Sequence, residues 1–229
     1  MSLPPQAWPD CAVPSEDLVR RLHALYQDAS KHAVYQSVPS FMARALGYQE
    51  EIHSTWRSDA PRYDFLVERL GLRRGETLAD IGANTGFFSL NLAHAQPDLR
   101  VAAYEMNPRH AEFIALAAAA FSLNVEVRSQ PCDLAGVAQL PACATVLLLN
   151  VLHHAGFDFD AGIPDNNQAF GSHAVAYLRR LSQRAKRLVF QIGSNRGGDK
   201  GRPLFARDDD VQRLGWIART LRAAGWRIS

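Results

Sequence analysis

The stretch Leu78-Ala79-Asp80-Ile81-Gly82-Ala83-Asn84-Thr85-Gly86-Phe87-Phe88 constrains this chain more than any other. A short apolar run ends in an acid, two glycines frame a tight loop, and another apolar segment follows. That is the pattern of strand, loop and helix at the carboxyl edge of a parallel sheet, where ligands bind. Glycine has no Cβ, so Gly82 and Gly86 permit a sharp turn and close approach of the backbone to a ligand. Asn84 tolerates a left-handed conformation better than most residues. A second apolar run, 101–104, closes on Glu105, nineteen residues after Gly86. An acid at the tip of the next strand accepts hydrogen bonds from ribose hydroxyls. Loop and acid together describe a nucleoside half-site.

A dinucleotide site needs G-x-G-x-x-G, with the pyrophosphate docked on a helix N-terminus. Here the run is G-A-N-T-G, and Asn84 stands where the second glycine belongs. Asp80 suits an ammonium and not a phosphate. The pattern therefore favours a nucleoside that carries an amino-acid tail. Three motifs, D-I-G-A-N-T-G (80–86), Y-E-M-N-P (104–108) and L-L-L-N-V-L-H-H (147–154), occur in order over residues 60–229. In them the chain resembles the class I S-adenosylmethionine (SAM) dependent methyltransferases.

The resemblance implies SAM as cofactor and S-adenosylhomocysteine (SAH) as product. It implies a cofactor site built from Asp80, Gly82, Ala83, Asn84, Thr85, Gly86, Phe87, Glu105, Met106, Cys132, Asp133, Leu134, Asn150 and Val151. Asp133 would accept from the adenine amine, with Cys132 or Leu134 beside the ring. Asp133 also reads as the N-cap of the helix that follows.

Alternating apolar and helical patterns predict a Rossmann-like, doubly wound α/β fold with a mostly parallel sheet. Strands are expected at 77–81, 100–104, 124–128, 144–149 and 187–193. Helices are expected at 86–95, 108–121, 134–139, 171–184 and 208–224. Residues 1–70 read as an extension and helical cap over the sheet's ligand edge, and 71–229 as the SAM-binding domain. Within the cap, helices are expected from Ser15, after Ser40 and from about Pro61 to Leu70. A strand is expected at Trp226-Arg227-Ile228. The family's final antiparallel strand pair is then incomplete, because the chain ends at Ser229.

Charge is nearly balanced, with 25 basic and 23 acidic residues, and no long basic run marks a nucleic-acid footprint. Cys11, Cys132 and Cys143 lack pairing or zinc-ligand spacing, which reads as reduced thiols in a cytoplasmic protein. No apolar stretch approaches the roughly 20 residues of a membrane span. Adjacent residues rarely converge on one ion, so the acids and histidines of 153–160 predict no metal site. The oligomeric state is open.

The reactive methyl group should emerge near Asn150, followed by His153 and His154. Either histidine is a candidate general base, since imidazole titrates near neutrality, or a positional group. Acceptor contacts are expected from Lys31, Tyr35 and Asn195, and from the long segment 155–171. Arg57 is a candidate partner for the cofactor's carboxylate. It lies in residues 52–59, a short stretch similar to one in the bacterial tRNA-uridine carboxymethyltransferases. Those enzymes carry a tyrosine just after the glycine loop, where this chain has Phe87, without a hydroxyl. The leading expectation is methyl transfer to oxygen or nitrogen of a small molecule. The alternatives are modification of tRNA by methyl or carboxymethyl transfer, and a non-catalytic SAM-binding partner protein.

Overall fold

Five runs of the chain after Gly75 become strands in the computed structural model, which describes residues 15–27, 36–47, 59–205 and 210–229. They are β1 (Thr77–Ile81), β2 (Arg100–Tyr104), β3 (Val125–Arg128), β4 (Cys143–Leu149) and β5 (Ala185–Gln191). All pair in parallel, in the order β3-β2-β1-β4-β5. The chain leaves β1 in one direction and returns to its other side with β4. That reversal opens a crevice at the carboxyl ends of the central strands. β1 and β4 are buried on both faces, which is why their sequences are continuous apolar runs and not alternating ones.

Eight helices flank the sheet among the described residues. Those after β1 are α4 (Phe87–Ala95), α5 (Pro108–Ala120), α6 (Leu134–Gln139), α7 (Asn167–Ser182) and α8 (Asp210–Ala223). The first three are α1 (Glu16–Tyr26), α2 (Ser40–Leu46) and α3 (Asp59–Leu70). Alternate residues of the strands divide the core. Leu78, Val101 and Leu147 pack with Phe88 and Leu92 of α4 and with Leu66 and Leu70 of α3. Ile81, Val146 and Leu148 pack on the other face with Phe170, Tyr177 and Leu181 of α7. Local signals start several helices. Ser15 accepts from the Leu18 amide, Asn107 caps α5 with Pro108 next, and Asn166 accepts from the Ala169 amide to open α7.

Four expectations are corrected. The helix placed at 171–184 begins at Asn167, because Asn166 is its cap and Gly171 lies inside it. β5 ends at Gln191 and not 193, since its partner strand offers no residue beyond Leu149. Residues 226–228 form no strand. Gly225, at φ +90°, ends α8, and the Trp226 amide donates back to the Leu221 carbonyl at 2.9 Å. That is a left-handed helix stop, and the indole of Trp226 is held by the Leu178 carbonyl. The helices of the N-terminal part do not all lie over the ligand edge. α1 packs on the flank of α5, where Leu22 and Leu25 meet Phe113 and Ile114.

Candidate cofactor and acceptor site

A cavity of about 740 Å³ opens at the carboxyl edge, over the β1–β4 reversal. Its size falls in the range of roughly 300–1,000 Å³ typical of small-molecule sites. β1 delivers the glycine loop to its floor. Gly82 takes φ +71°, Asn84 φ +53° and Gly86 φ +79°, so the loop uses the left-handed region three times in five residues. A Cβ at Gly82 would lie 2.4 Å from Val151 Cγ2. The close packing of the β1 and β4 loop ends thus requires glycine there.

Five amides of the loop and the start of α4 are committed inside the protein. Those of Gly82 and Ala83 donate to the Tyr104 carbonyl, and that of Gly86 to the Ala83 carbonyl. The Asn84 amide donates to Glu105 Oε2 at 2.7 Å, and the Phe87 amide to Gln36 Oε1 at 2.8 Å. Gln36 therefore occupies the first turn of α4, where a phosphate would dock in a dinucleotide site.

Glu105 ends up 7% exposed, lining the cavity, with its second oxygen accepting from the Asn107 amide at 2.7 Å. Burial pushes its carboxyl up to about 7, although the amide donors from Asn107 and Asn84 oppose the rise. Asp80 lies beneath the loop and does not line the cavity. Its Oδ2 accepts from the Ser89 hydroxyl at 2.7 Å, and burial raises it to about 6.

Of the residues singled out in the sequence, Gly82, Asn84, Glu105, Met106, Cys132, Asn150, Val151, His153 and His154 line the cavity. Ala83, Thr85, Gly86 and Phe87 support the loop from behind. Asp133 points back to the Gly136 amide at 2.7 Å as the cap of α6. The Leu134 amide donates to the carboxylate of Asp160, and neither residue nor Asn195 is part of the lining. Burial drives the Cys132 thiol up to about 12, so it is a neutral apolar wall and not a nucleophile. Lys31, Tyr35 and Arg57 lie outside the described residues. Among the described residues no group of three or more His, Cys, Asp or Glu side chains is disposed to hold a metal.

Two further lining residues come from the N-terminal part of the chain. Arg62 of α3 reaches the cavity, ion-paired with the buried Asp59. It also donates to Gln191 Oε1 at 3.0 Å and lies 5.2 Å from the Phe88 ring centroid. Gln36 is the other. Gln36 closes the segment of Lys31 and Tyr35 from which acceptor contacts are expected, whereas Arg62 carried no sequence signal.

The far wall is made by two loops that interlock. The loop after β4 brings His153, His154, Asp158 and Phe159 into the lining, and the loop after β5 brings Gly193 and Gly198. His153 Nδ1 accepts from the Gly193 amide at 3.3 Å, and a Cβ at Gly193 would fall 2.7 Å from His153 Nε2. A Cβ at Gly197 would fall 2.8 Å from the ring of Phe157. Arg196 and Arg202 stack on that same ring, and both pair with Asp165. His154 Nδ1 stands 2.8 Å from Asp158 Oδ2.

No protein-family model matches the chain, and no curated protein matches it. Solved structures do match in fold. The bifunctional kinase-methyltransferase WbdD superposes with a TM-score of 0.57 at 17% identity, covering 81% of this chain and 39% of WbdD. A monomeric form of WbdD gives 0.51 at 20% identity, covering 68% and 37%. The chain thus spans well under half the length of these neighbours, and the likeness establishes a Rossmann-like α/β fold. No helix among the described residues is long and apolar enough to cross a membrane.

Proposed function

We propose that this chain binds SAM in the cavity and transfers its methyl group to an oxygen or nitrogen of a small-molecule acceptor. One observation carries the reading. The amides of Gly82, Ala83, Asn84, Gly86 and Phe87 are all committed within the protein, while the buried carboxylate of Glu105 faces the cavity. Such a loop suits a nucleoside without phosphates. The donor set agrees with that ligand. Glu105 would take the ribose hydroxyls, and Met106, Pro131 and Cys132 would flank the base. Arg62 is the cation placed for the amino-acid carboxylate, in the role expected of Arg57.

Bound SAM supplies an electrophilic methyl group on sulfur. The protein's part is to orient donor and acceptor in line and to keep water away, which accounts for much of the rate in such displacements. Gln36 and Arg62 form one wall above the loop, and Asp158 and Phe159 the other. A cavity of this size admits a small acceptor beside the cofactor.

Calorimetry with SAH, SAM and NAD tests the reading. SAH and SAM should bind at micromolar affinity, roughly −8 kcal/mol. NAD should show no heat. Binding of NAD without SAH or SAM would overturn it.

A further inference from the structure

Gln36 is pinned on three sides. Its backbone carbonyl accepts the Tyr26 hydroxyl at 2.8 Å, and the amide of the next residue, Ser37, donates to Asp59 Oδ2 at 2.7 Å. Its side chain meets the Phe87 amide at 2.8 Å. The last contact settles which way the carboxamide is turned. A backbone N–H only donates, so the atom facing Phe87 is the oxygen, and Nε2 with its two N–H donors is the other arm of the group. Nε2 has no hydrogen-bond partner among the described residues and is not sealed from solvent, so it opens on the cavity that Gln36 lines.

The buried carboxylate that holds Ser37 also holds Arg62. Asp59 takes the Ser37 amide on Oδ2 and the Arg62 guanidinium on Oδ1. One anchor therefore seats a carboxamide donor and a cation in the cavity lining. Their place along the sheet matters. Arg62 also bonds Gln191 at the tip of β5, whereas Met106 and Cys132 follow β2 and β3 at the other end. A nucleoside with its base against Met106 and Cys132 and its ribose on Glu105 must send its 5′ tail back across β1, towards α4, Gln36 and Arg62.

We propose that Gln36 reads the carboxylate of the cofactor's amino-acid tail through Nε2, and so fixes which end of that tail faces this wall. The assignment rests on the SAM-binding reading above. The tail ends in two groups of opposite polarity. Its ammonium only donates and gains nothing from another donor, whereas its carboxylate only accepts. Gln36 Nε2 and the Arg62 guanidinium both donate, and the N-terminus of α4 beside them favours negative charge. An amide bond to a carboxylate is charge-assisted and stronger than one between neutral groups. The carboxylate therefore lies against Gln36, and the ammonium is turned away from it.

The test is a cycle between this residue and the ligand, read by calorimetry. The ligands are SAH and S-adenosyl-3-thiopropylamine, the same molecule without its carboxylate. Wild type should bind SAH about tenfold or more tightly than the decarboxylated compound. Q36E keeps an oxygen for the Phe87 amide and puts a negative oxygen where Nε2 stood. It should keep the melting temperature, lower the affinity for SAH about 10- to 100-fold, and leave the affinity for the decarboxylated compound undiminished. Equal binding of the two compounds by wild type would overturn the proposal, and so would an unchanged preference for SAH in Q36E. A Gln36 that only caps α4 predicts the second result, because Q36E preserves the cap. Failure of both compounds to bind wild type would instead strike the SAM-binding reading. A measurement on wild type stands even if Q36E does not fold. The side-chain NH₂ signals of ¹⁵N-labelled Gln36 should shift more with SAH than with the decarboxylated compound, and equal shifts would overturn the assignment.

Discussion

Glu105 Oε2 accepts the backbone N–H of Asn84 at 2.7 Å, and Asn84 holds the left-handed conformation that aims its amide there. The carboxylate therefore both shapes the glycine loop and faces the nucleoside cavity. Replacing it by alanine should weaken SAH binding by about 10- to 100-fold, because a hydrogen bond to a charged group is worth roughly 1.5–3 kcal/mol. Calorimetry on a variant with unchanged far-UV circular dichroism checks this.

Protonation of the same residue should be linked to binding. Burial raises Glu105 from 4.5 to about 7. Between those values the folded protein keeps a proton that the unfolded chain has released. The group's contribution to stability is thus full below 4.5 and declines as pH climbs to about 7. Hydroxyl donors favour the ionised form, so SAH binding should release up to one proton near pH 6 and almost none near pH 8. Calorimetry in buffers of different ionisation heats measures that number, and proton uptake near pH 6 would contradict it.

Gly82→Ala should destabilise the fold by roughly 1–3 kcal/mol through overpacking alone, since its Cβ would sit 2.4 Å from Val151 Cγ2. Adding Val151→Ala should recover part of the loss. The part not recovered measures the strain of an L-residue at φ +71°. Thermal melts of the two variants give both quantities.

Arg62→Met should destabilise by about 3–5 kcal/mol, the usual effect of stranding one member of a buried ion pair. Asp59 is 1% exposed, but the arginine is about a quarter exposed, so the lower end is expected. The double variant Asp59→Asn with Arg62→Met should be more stable than Arg62→Met alone. It should still bind SAH weakly if Arg62 holds the cofactor's carboxylate.

Tyr177→Phe should cost about 1–3 kcal/mol, because the buried hydroxyl is the donor to the Cys132 carbonyl at 2.7 Å. Its removal leaves that carbonyl short of a partner in the loop after β3. A loss of SAH affinity beyond the loss of stability would show that Tyr177 sets the position of the base-flanking wall.

Much of this is legible in the sequence. Apolar strands, the G-A-N-T-G loop and Glu105 obey local rules, so β1, β2, the loop and Glu105 at the strand tip stand where expected. Asp133 shows the limit of such reading. Its capping role and its proposed adenine role were equally compatible with the sequence, and the Gly136 amide takes the side chain. Arg62 was not legible, because nothing local says that this side chain of α3 will turn into the cavity, whereas Gln36 lies at the end of the upstream segment expected to contact the acceptor, and only its bond to the Phe87 amide is new. Gly193 was expected inside a strand at 187–193, and the packing of His153 against it and of Phe157 against Gly197 explains why both positions are small. Trp226 carried an apolar pattern suited to a strand, but Gly225 turned the chain back onto α7 first.

The interlock of the loops after β4 and β5 has an evolutionary consequence. Neither loop is free to drift alone, because a larger residue at 193 or 197 collides with His153 or Phe157. A lineage that acquires a new acceptor must change both loops together, by compensating exchanges of bulk across the contact. Homologues of this chain should therefore show correlated substitutions at 153 with 193 and at 157 with 197, while the cofactor half of the cavity stays the same.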